Sequence, residues 1–524
     1  MATDLQIAVR KVVSVNPASG ETLRQFEPVA AADVEAAVAG ARSSQPAWHA
    51  LGVQRRIAIL REFQKLLHEK KSHVARSITR EAGKPYAEAL STEVLVVLDA
   101  TRFCIENAFQ FLREEPVAHG NLATKSKSGR IRREPYGVIG IISPWNYPFS
   151  IPATESLGAL VCGNAVVLKP SEFTSLAALE LESLLHAAGV AKDVFRVVVG
   201  DGATGAALIN SEIDKLIFTG SVATGKRVAE IAAQRLLPTV LELGGKDPML
   251  VLEDADLDVA SSAAVWGGFV NAGQACLAVE RCYVHHSLYE AFLKACVEKT
   301  KRLRLGDGLK PQTDIGPMIH ERQLHIVEAH VEDARAQGAR VLVGGSRLPD
   351  VGPNFYAPTI LADVTHQMRV MREETFGPVL PVMAFENDEQ AIRLANDSEF
   401  GLAASVWTRN KARGRALAQR IAAGTVMVND AVSCFGISEA PHGGVKSSGL
   451  GRSHGRFGMQ EMVRIKYVAS DRLTAFKKVW WYPYGESFSQ QMEGFLDLMF
   501  APGLSARLRG ALRSAGACIR STRL

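Results

Sequence analysis

The sequence predicts an α/β fold with parallel sheets, and three observations support this prediction. Strand-like and helix-like patterns alternate between residues 136 and 233, the strand-like segments are continuous apolar runs, and glycine-containing turns follow several of them. Continuous apolar runs are typical of strands that helices cover on both faces. A chain of 524 residues is too long for one core, so two or three packed units are expected.

The composition narrows the functional class. Apolar content is 47% and charged content 22%, which excludes a largely disordered chain. The seven cysteines are odd in number and form no CxxC pair, so neither a disulfide framework nor a metal site is expected. No apolar run is long enough for a spanning helix and no secretory signal is visible, so we expect a cytoplasmic protein.

The positive charge of the chain is concentrated at its end. Residues 464–524 contain ten Lys or Arg and four Asp or Glu, which leaves a formal charge of −1 on the first 463 residues. A nucleic-acid-binding protein would carry its basic face within the folded domains. We therefore expect no nucleic-acid partner, and a tail with a role of its own.

The residue pattern predicts helices, a hairpin and alternating strands and helices between residues 31 and 233. Apolar residues at helical spacing predict successive helices over 31–107, and the polar segment 120–133 has no buried face and suits a protruding hairpin. Strands are predicted at 136–142, 165–168, 195–199 and 215–218, with helices after the Pro-rich turn through 157 and at 171–188, 203–210 and 225–233.

A second α/β run extends from residue 249 to about 428. It contains predicted helices at 255–271 and 319–337 and predicted strands near 282–284 and 340–343. The glycine-rich segment 443–449 is predicted to close this unit as a loop. Residues 462–470 have strand character and are predicted to pair with the polar hairpin.

Three glycine- or lysine-containing turns are candidate nucleotide sites. GDGATG at 200–205, with Gly202, follows a strand and opens a helix, but no acidic residue ends a strand about 20 positions later. GSVATGKR at 220–227, with Gly220 and Ser221, imitates a P-loop except that Arg227 replaces the magnesium-binding hydroxyl, which disfavours an ATPase. A helix N-terminus there still favours a phosphate.

The third turn is KPSE at 169–172, at the carboxyl end of a predicted strand. Lys169 and Glu172 are close enough in sequence to bind ribose hydroxyls together. The alternative is a solvated turn.

Three residues together supply the chemistry of thioester formation and hydrolysis. Cys276 follows NAGQA at 271–275, Glu242 lies in LELGGK at 241–246, and Asn146 lies in PWNYP at 144–148. A thiol is a strong nucleophile, a carboxylate activates water, and a carboxamide holds an oxyanion. Outside this context Cys276 would be interpreted as an inert buried thiol.

These motifs, with FTGS at 218–221 and ETFGP at 374–378, identify the region from about residue 10 to 470 as similar to the NAD(P)-dependent aldehyde dehydrogenase superfamily. The resemblance implies an aldehyde-dehydrogenase-like α/β fold. A Rossmann-type nucleotide domain (1–115 and 136–243) would precede a catalytic domain (244–449). A β-arm for oligomerisation (116–135 and 455–475) would build a homodimer or homotetramer, and 476–524 would be an aromatic and basic extension.

The resemblance also implies the site residues. Cys276 would attack the aldehyde, Asn146 would hold the oxyanion, and Glu242 would activate water. The coenzyme would bind near Trp145, Lys169, Glu172, Gly202, Gly220, Ser221, Glu374 and Phe376. Glu172 repels a 2′-phosphate, so NAD is expected in preference to NADP.

The alternatives are a CoA-acylating aldehyde dehydrogenase, which would lack Glu242, and a non-catalytic scaffold on the same fold. The predicted substrate mouth near Phe149, residues 275–277 and residues 432–435 has no cation, so an apolar or aromatic aldehyde is expected. Aromatic residues at 480–484 and five later arginines suit peripheral membrane contact, with packing on a partner subunit as the alternative.

Overall fold

The structure is a computed structural model that describes residues 11–121, 124–475, 478, 480–482 and 484–521. The chain divides into two compact units. The larger unit comprises Met1–Arg113 and Arg132–Lys466, and the smaller comprises Glu114–Ile131 and Tyr467–Leu524. Of the predicted extension 476–524, residues 476, 477, 479, 483 and 522–524 lie outside the described part.

The described α-helices, in chain order, are α1 (Ala31–Ala50), α2 (Gly52–Ala82), α3 (Tyr86–Glu88), α4 (Leu95–Leu112), α5 (Ser150–Val161), α6 (Ser175–Ala187), α7 (Gly202–Asn210), α8 (Val222–Gln234), α9 (Leu257–Phe269), α10 (Tyr289–Thr300), α11 (Glu321–Ala336), α12 (Arg369–Arg372), α13 (Asp388–Asn396), α14 (Lys411–Ala418), α15 (Gly455–Glu461), α16 (Glu486–Phe500) and α17 (Leu504–Ser521). A π-helical segment, Ala89–Val94, joins α3 to α4.

The strands are β1 (Val12–Val15), β2 (Thr22–Phe26), β3 (Glu115–Val117), β4 (Lys127–Pro135), β5 (Val138–Ile142), β6 (Ala165–Lys169), β7 (Phe195–Val197), β8 (Lys215–Thr219), β9 (Thr239–Glu242), β10 (Asp247–Val251), β11 (Val279–His285), β12 (Arg340–Val343), β13 (Thr359–Ala362), β14 (Val379–Phe385), β15 (Ala403–Trp407), β16 (Thr425–Val428), β17 (Gly449–Leu450) and β18 (Val463–Asp471).

The first large sheet has the order β17-β9-β8-β5-β6-β7, and only its edge strand β17 pairs antiparallel. Its central strands are buried along their whole length. Because side chains alternate across a strand, Ile139 and Ile141 pack into one apolar core, while Val138 and Ile142 pack into another. Helices therefore cover both faces, as the continuous apolar runs predict.

The second large sheet has the order β12-β13-β14-β11-β10-β15-β16, parallel except at the pairing of β12 with β13. Its core is a separate apolar cluster that includes Phe269, Tyr283, Phe292 and Phe385. Two parallel sheets, each with its own core, confirm the predicted α/β class.

Several element boundaries differ from the sequence expectation. Helix α6 begins at Ser175 instead of residue 171, because residues 171–174 form a turn in which the Thr174 amide donates to the Ser171 carbonyl. Strand β7 ends at Val197 instead of residue 199. The sequence analysis did not predict the hairpin of β1 and β2 or the strand β9 that carries Glu242.

The smaller unit contains β3, parts of β4 and β18, and the helices α16 and α17. In a three-stranded sheet of order β18-β4-β3, the strand that contains residues 463–471 lies next to the polar arm. The helices α16 and α17 form a helical hairpin in the C-terminal extension. None of the described helices combines the length and apolarity that crossing a bilayer requires.

Candidate active site

The loop that carries Cys276 has an unusual backbone. Asn271 and Ala272 adopt φ values of 53° and 55°, and Gly273 follows at 73°. A Cβ atom at Gly273 would lie 2.1 Å from the Gly377 carbonyl oxygen, so only glycine fits there. This left-handed turn ends helix α9 and returns the chain so that Cys276 lines the large cavity of the unit.

Cys276 is a free thiol that is partly exposed. Burial raises the pKa of the thiol well above its ordinary value, and the neighbouring carboxyls of Asp247, Glu374 and Glu242 act in the same direction. The resting sulfur is therefore protonated at neutral pH. Forming the nucleophilic thiolate requires a base or a positive charge in its vicinity.

Glu242 is the last residue of β9 and lines the same cavity. Both of its carboxyl oxygens are buried, and neither has a hydrogen-bond partner within 3.5 Å among the described residues. Burial, and next the carboxyl of Glu155, raise the pKa of Glu242 well above its ordinary value, whereas Ser453 and Arg452 act in the opposite direction. A carboxyl group whose pKa rises towards neutrality suits a general base.

Two residues beside Glu242 were missed by the sequence analysis. The imidazole of His442 is buried, and Glu155 is buried in helix α5 with its pKa raised by burial to about 8. Both line the cavity. Two signals in the sequence could have identified them. Glu155 is the only charged residue of α5, and His442 lies within PHGG at 441–444.

Asn146 lies in the loop after β5, and its side chain is buried. Its Nδ2 donates to the carbonyl of Gln274 at 3.1 Å. The backbone carbonyl oxygen of Asn146 accepts hydrogen bonds from Lys84 Nζ at 2.8 Å and from Asn271 Nδ2 at 3.0 Å. A carboxamide has two N–H hydrogens, so one is left for an oxyanion beside the Cys276 loop.

A buried ion pair supports this loop from behind. Lys84 Nζ lies 2.7 Å from Glu93 Oε1, and both side chains are fully buried. The other oxygen of Glu93 accepts from the amides of Phe149 and Ser150, at 3.2 and 2.7 Å. The N-terminal helices thereby fix the backbone that presents Asn146.

The structure places all the predicted site residues on one cavity of about 720 Å³, within the usual range for a ligand pocket. They are Trp145, Asn146, Lys169, Glu172, Gly202, Gly220, Ser221, Glu242, Cys276, Glu374 and Phe376. The catalytic candidates and the nucleotide candidates therefore share a single continuous space.

The nucleotide side of the cavity fits a dinucleotide. Lys169 Nζ lies 3.6 Å from Glu172 Oε2 at the end of β6, which places an ammonium and a carboxylate where ribose hydroxyls can bind. Ser221 is the N-cap of helix α8, whose dipole favours a phosphate. A Cβ atom at Gly202 would meet no atom within 4 Å, so the cavity is open at the start of α7.

The segment with Glu374 and Phe376 is held by buried charges. Glu280 accepts the amides of Thr375 and Phe376, each at 2.8 Å, and pairs with Lys246. Glu374 Oε1 accepts the Gly245 amide at 3.0 Å, and burial raises its pKa to about 8. The rings of Phe376 and Trp145 meet edge to face at 5.4 Å.

The side of the cavity next to Cys276 is apolar. Leu277, Leu402 and Cys434 form a buried cluster against which Cys276 and Phe435 pack. Phe149, predicted at the substrate mouth, is instead fully buried in the core beneath the first sheet. Its position follows from the hold of Glu93 on the loop, which turns this side chain inward.

A thiol and a buried carboxyl that share one cavity with residues suited to bind a dinucleotide are typical of a nicotinamide-dependent oxidoreductase. The comparisons with known proteins define the family. Residues 6–468 match the model of the aldehyde dehydrogenase family, and the chain belongs to this family. The protein is an oxidoreductase that oxidises an aldehyde with NAD(P) as acceptor.

Three similar proteins illustrate the relationship. The 4,4'-diapolycopene aldehyde oxidase of a Methylomonas species is 39% identical over 489 residues, which cover 93% of this chain and 91% of that protein. The solved NAD-dependent aldehyde dehydrogenase of Sinorhizobium meliloti is 37% identical with a TM-score of 0.85, covering 88% of this chain and 92% of that one. The solved succinate-semialdehyde dehydrogenase of Burkholderia pseudomallei is 35% identical with a TM-score of 0.84, covering 88% and 95%.

Proposed function

We propose that this aldehyde dehydrogenase works through a covalent thioester on Cys276. The observation that carries the proposal is that Cys276, Glu242 and Asn146 line one cavity together with the nucleotide candidates. Water at the partly exposed sulfur takes the thiol proton, and the Cys276 thiolate attacks the aldehyde carbon to form a thiohemiacetal. The remaining N–H of the Asn146 amide and the Cys276 backbone N–H stabilise its oxyanion, and loss of one such donor typically costs about 10²–10³ in rate.

Lys169, Glu172, Gly202, Gly220, Ser221, Trp145, Glu374 and Phe376 would hold the coenzyme, which accepts the hydride when bound. The acyl group then remains on Cys276 as a thioester. Glu242 takes a proton from water, the hydroxide attacks the thioester carbon, and the carboxylic acid leaves while the thiol is regenerated. The position of Glu242 on the same cavity as Cys276 supports this role.

The presence of Glu242 on the cavity favours hydrolysis over transfer of the acyl group to CoA. The intact set of Cys276, Glu242 and Asn146 also speaks against a non-catalytic scaffold. For the coenzyme, Glu172 beside Lys169 favours NAD, because its carboxylate repels a 2′-phosphate.

An apolar aldehyde is the proposed substrate class. Leu277, Leu402, Cys434 and Phe435 surround the sulfur with apolar surface. A dicarboxylic semialdehyde would need a cationic anchor, which this cluster does not supply. Among the similar proteins, the Methylomonas enzyme is named for 4,4'-diapolycopene aldehyde and the Burkholderia pseudomallei enzyme for succinate semialdehyde.

We also propose a homodimer or homotetramer built through the β3–β4–β18 sheet, and peripheral membrane contact through residues 476–524. A membrane contact would bring the enzyme to the place where apolar aldehydes dissolve.

The test compares the wild type with Cys276→Ala and Glu242→Gln, using an aromatic aldehyde and either coenzyme, with and without CoA. Cys276→Ala should abolish NADH formation. Glu242→Gln should give a burst of NADH equal to the number of active sites and then stall, and mass spectrometry should detect an acyl group on Cys276. Normal steady-state turnover by Glu242→Gln would exclude its role in deacylation. A strict requirement for CoA would establish the acyl-transfer alternative.

A further inference from the structure

The C-terminal hairpin of α16 and α17 is held together by backbone contact. Among its described side chains, up to residue 515, the only buried residues are Gly494 and Gly510. A Cβ atom at Gly494 would lie 2.7 Å from the Gly510 carbonyl oxygen, and one at Gly510 would lie 2.5 Å from the Leu498 amide nitrogen. The two helices therefore cross so closely that no large side chain can pack between them.

Five large apolar side chains of the two helices are exposed on the outside of the hairpin. Leu504, Leu508 and Leu512 recur every fourth residue of α17 and are 75%, 57% and 75% exposed. They form one stripe about 12 Å long, at 1.5 Å per residue. On α16, Leu496 and Phe500 are exposed at the same spacing. Contiguous apolar surface of this kind marks a site of interaction with a protein or a membrane.

The hairpin also exposes basic side chains on α17 and aromatic side chains before α16. Arg507 and Arg509 are exposed on α17, which has no acidic residue, and the sequence adds Arg520 and Arg523. Arg513 instead pairs with Asp497 on α16, at 3.4 Å. Before α16, Trp481, Tyr482 and Tyr484 are all more than half exposed. Aromatic rings with an apolar body and a polar edge are enriched where lipid headgroups meet acyl chains.

We propose that this hairpin docks on the surface of an anionic phospholipid bilayer. Leu504, Leu508 and Leu512 would enter the acyl boundary, while Arg507 and Arg509 would meet lipid phosphates. A glycine crossing with outward apolar residues is the packing used by helices in lipid, where close backbone approach replaces a side-chain core. This favours a bilayer over a second copy of the chain as the covering surface. Neither helix is apolar enough to span, so the hairpin lies at the interface.

The proposal rests on the peripheral membrane contact proposed above and assigns it to named residues, and its test does not depend on catalytic activity. The full-length chain is sedimented with vesicles of phosphatidylcholine mixed with phosphatidylglycerol, and with vesicles of phosphatidylcholine alone. The wild type should bind the anionic vesicles and bind them more weakly at high salt. The triple variant Leu504→Glu/Leu508→Glu/Leu512→Glu should reduce the partition coefficient by about 100-fold or more, because each substitution places a charge in the acyl boundary.

The matched control is Leu95→Glu, which changes a leucine of α4 that is 59% exposed and should leave binding unchanged. NADH formation with a short, water-soluble aldehyde is measured for every variant and should be unaffected, which shows that the triple variant is folded. The proposal is overturned if the wild type does not sediment with anionic vesicles, or if the triple variant still does. It is also overturned if the triple substitution halves the assembly mass in ultracentrifugation and does not change vesicle binding. The stripe would then pack against a second copy of the chain. Absence of activity with every aldehyde would refute the proposed function and leave the vesicle result standing.

Discussion

The imidazole Nε2 of His442 lies 3.9 Å from Oε2 of Glu242, and both side chains are almost fully buried. The backbone of His442 is fixed by two hydrogen bonds with Ser453, at 2.8 and 2.9 Å. Burial lowers the pKa of His442 to about 3, with His454 and Arg452 acting in the same direction. A neutral imidazole therefore faces the carboxyl that is proposed to activate water.

Replacing His442 by Phe should move the rising limb of the kcat pH profile to higher pH by about one unit. An imidazole N–H close to the Glu242 carboxylate stabilises its ionised form, so its loss raises the pKa of Glu242 further. The burst of NADH should remain, because the change affects only deacylation. His442→Gln, which keeps a donor, serves as the control and should shift the limb less. Superimposable profiles for His442→Phe and the wild type would contradict this coupling.

Replacing Glu155 by Gln should have the opposite effect. The pKa of Glu155 is raised to about 8, and its charge is the largest electrostatic contribution, after burial, that raises the pKa of Glu242. Removing this charge lowers the pKa of Glu242, so the rising limb of kcat should move to lower pH by roughly one unit. The measurement is kcat across the range from about pH 6 to about pH 10. Glu230→Gln, at an exposed position of α8, is the control. A shift to higher pH would show that Glu155 stabilises the ionised base.

Replacing Glu172 by Gln should weaken the preference for NAD. The carboxylate repels a 2′-phosphate, while Lys169, 3.6 Å away, stays to attract one. We expect the ratio of kcat/KM for NAD to that for NADP to fall by about 10-fold, which corresponds to roughly 1.4 kcal/mol. Glu62→Gln on the surface of α2 provides the control. If the wild type already prefers NADP, Glu172 does not set coenzyme choice.

Replacing Lys84 by Met should destabilise the fold. The substitution leaves the Glu93 carboxylate buried without its cation, which costs about 3–5 kcal/mol in comparable cases. Urea unfolding followed by circular dichroism measures the loss. The double variant Lys84→Met/Glu93→Gln should recover part of it, because Gln still accepts the amides of Phe149 and Ser150 without a charge. Equal stability of the single and double variants would exclude an uncompensated charge as the cause.

The sequence predicts the first sheet well because its strands are buried on both faces. The run at 138–142 is apolar at every position except Gly140, and the following motif places Asn146 at the carboxyl end of the strand. The nucleotide and catalytic candidates that line one cavity were predicted from such motifs together with the family resemblance that the motifs carry. Strand β9 was not predicted because Thr239–Glu242 is only four residues long.

The polar surroundings of the site could not be predicted in the same way. His442 is 200 positions from Glu242, and Lys84 is 62 positions from Asn146, so no local pattern connects them. Their roles depend on tertiary contacts. The glycine crossing of α16 and α17 is also invisible in the sequence, since Gly494 and Gly510 are separated by a turn whose geometry sets which residues meet.

The backbone carbonyl oxygen of Asn146 accepts hydrogen bonds from Lys84, in the N-terminal helical region, and from Asn271, in the loop that carries Cys276. Three distant stretches of the polypeptide must therefore converge before the enzyme can turn over. During gradual heating, detachment of the first helices would inactivate the enzyme while both large sheets were still folded. Thermal inactivation would then precede melting.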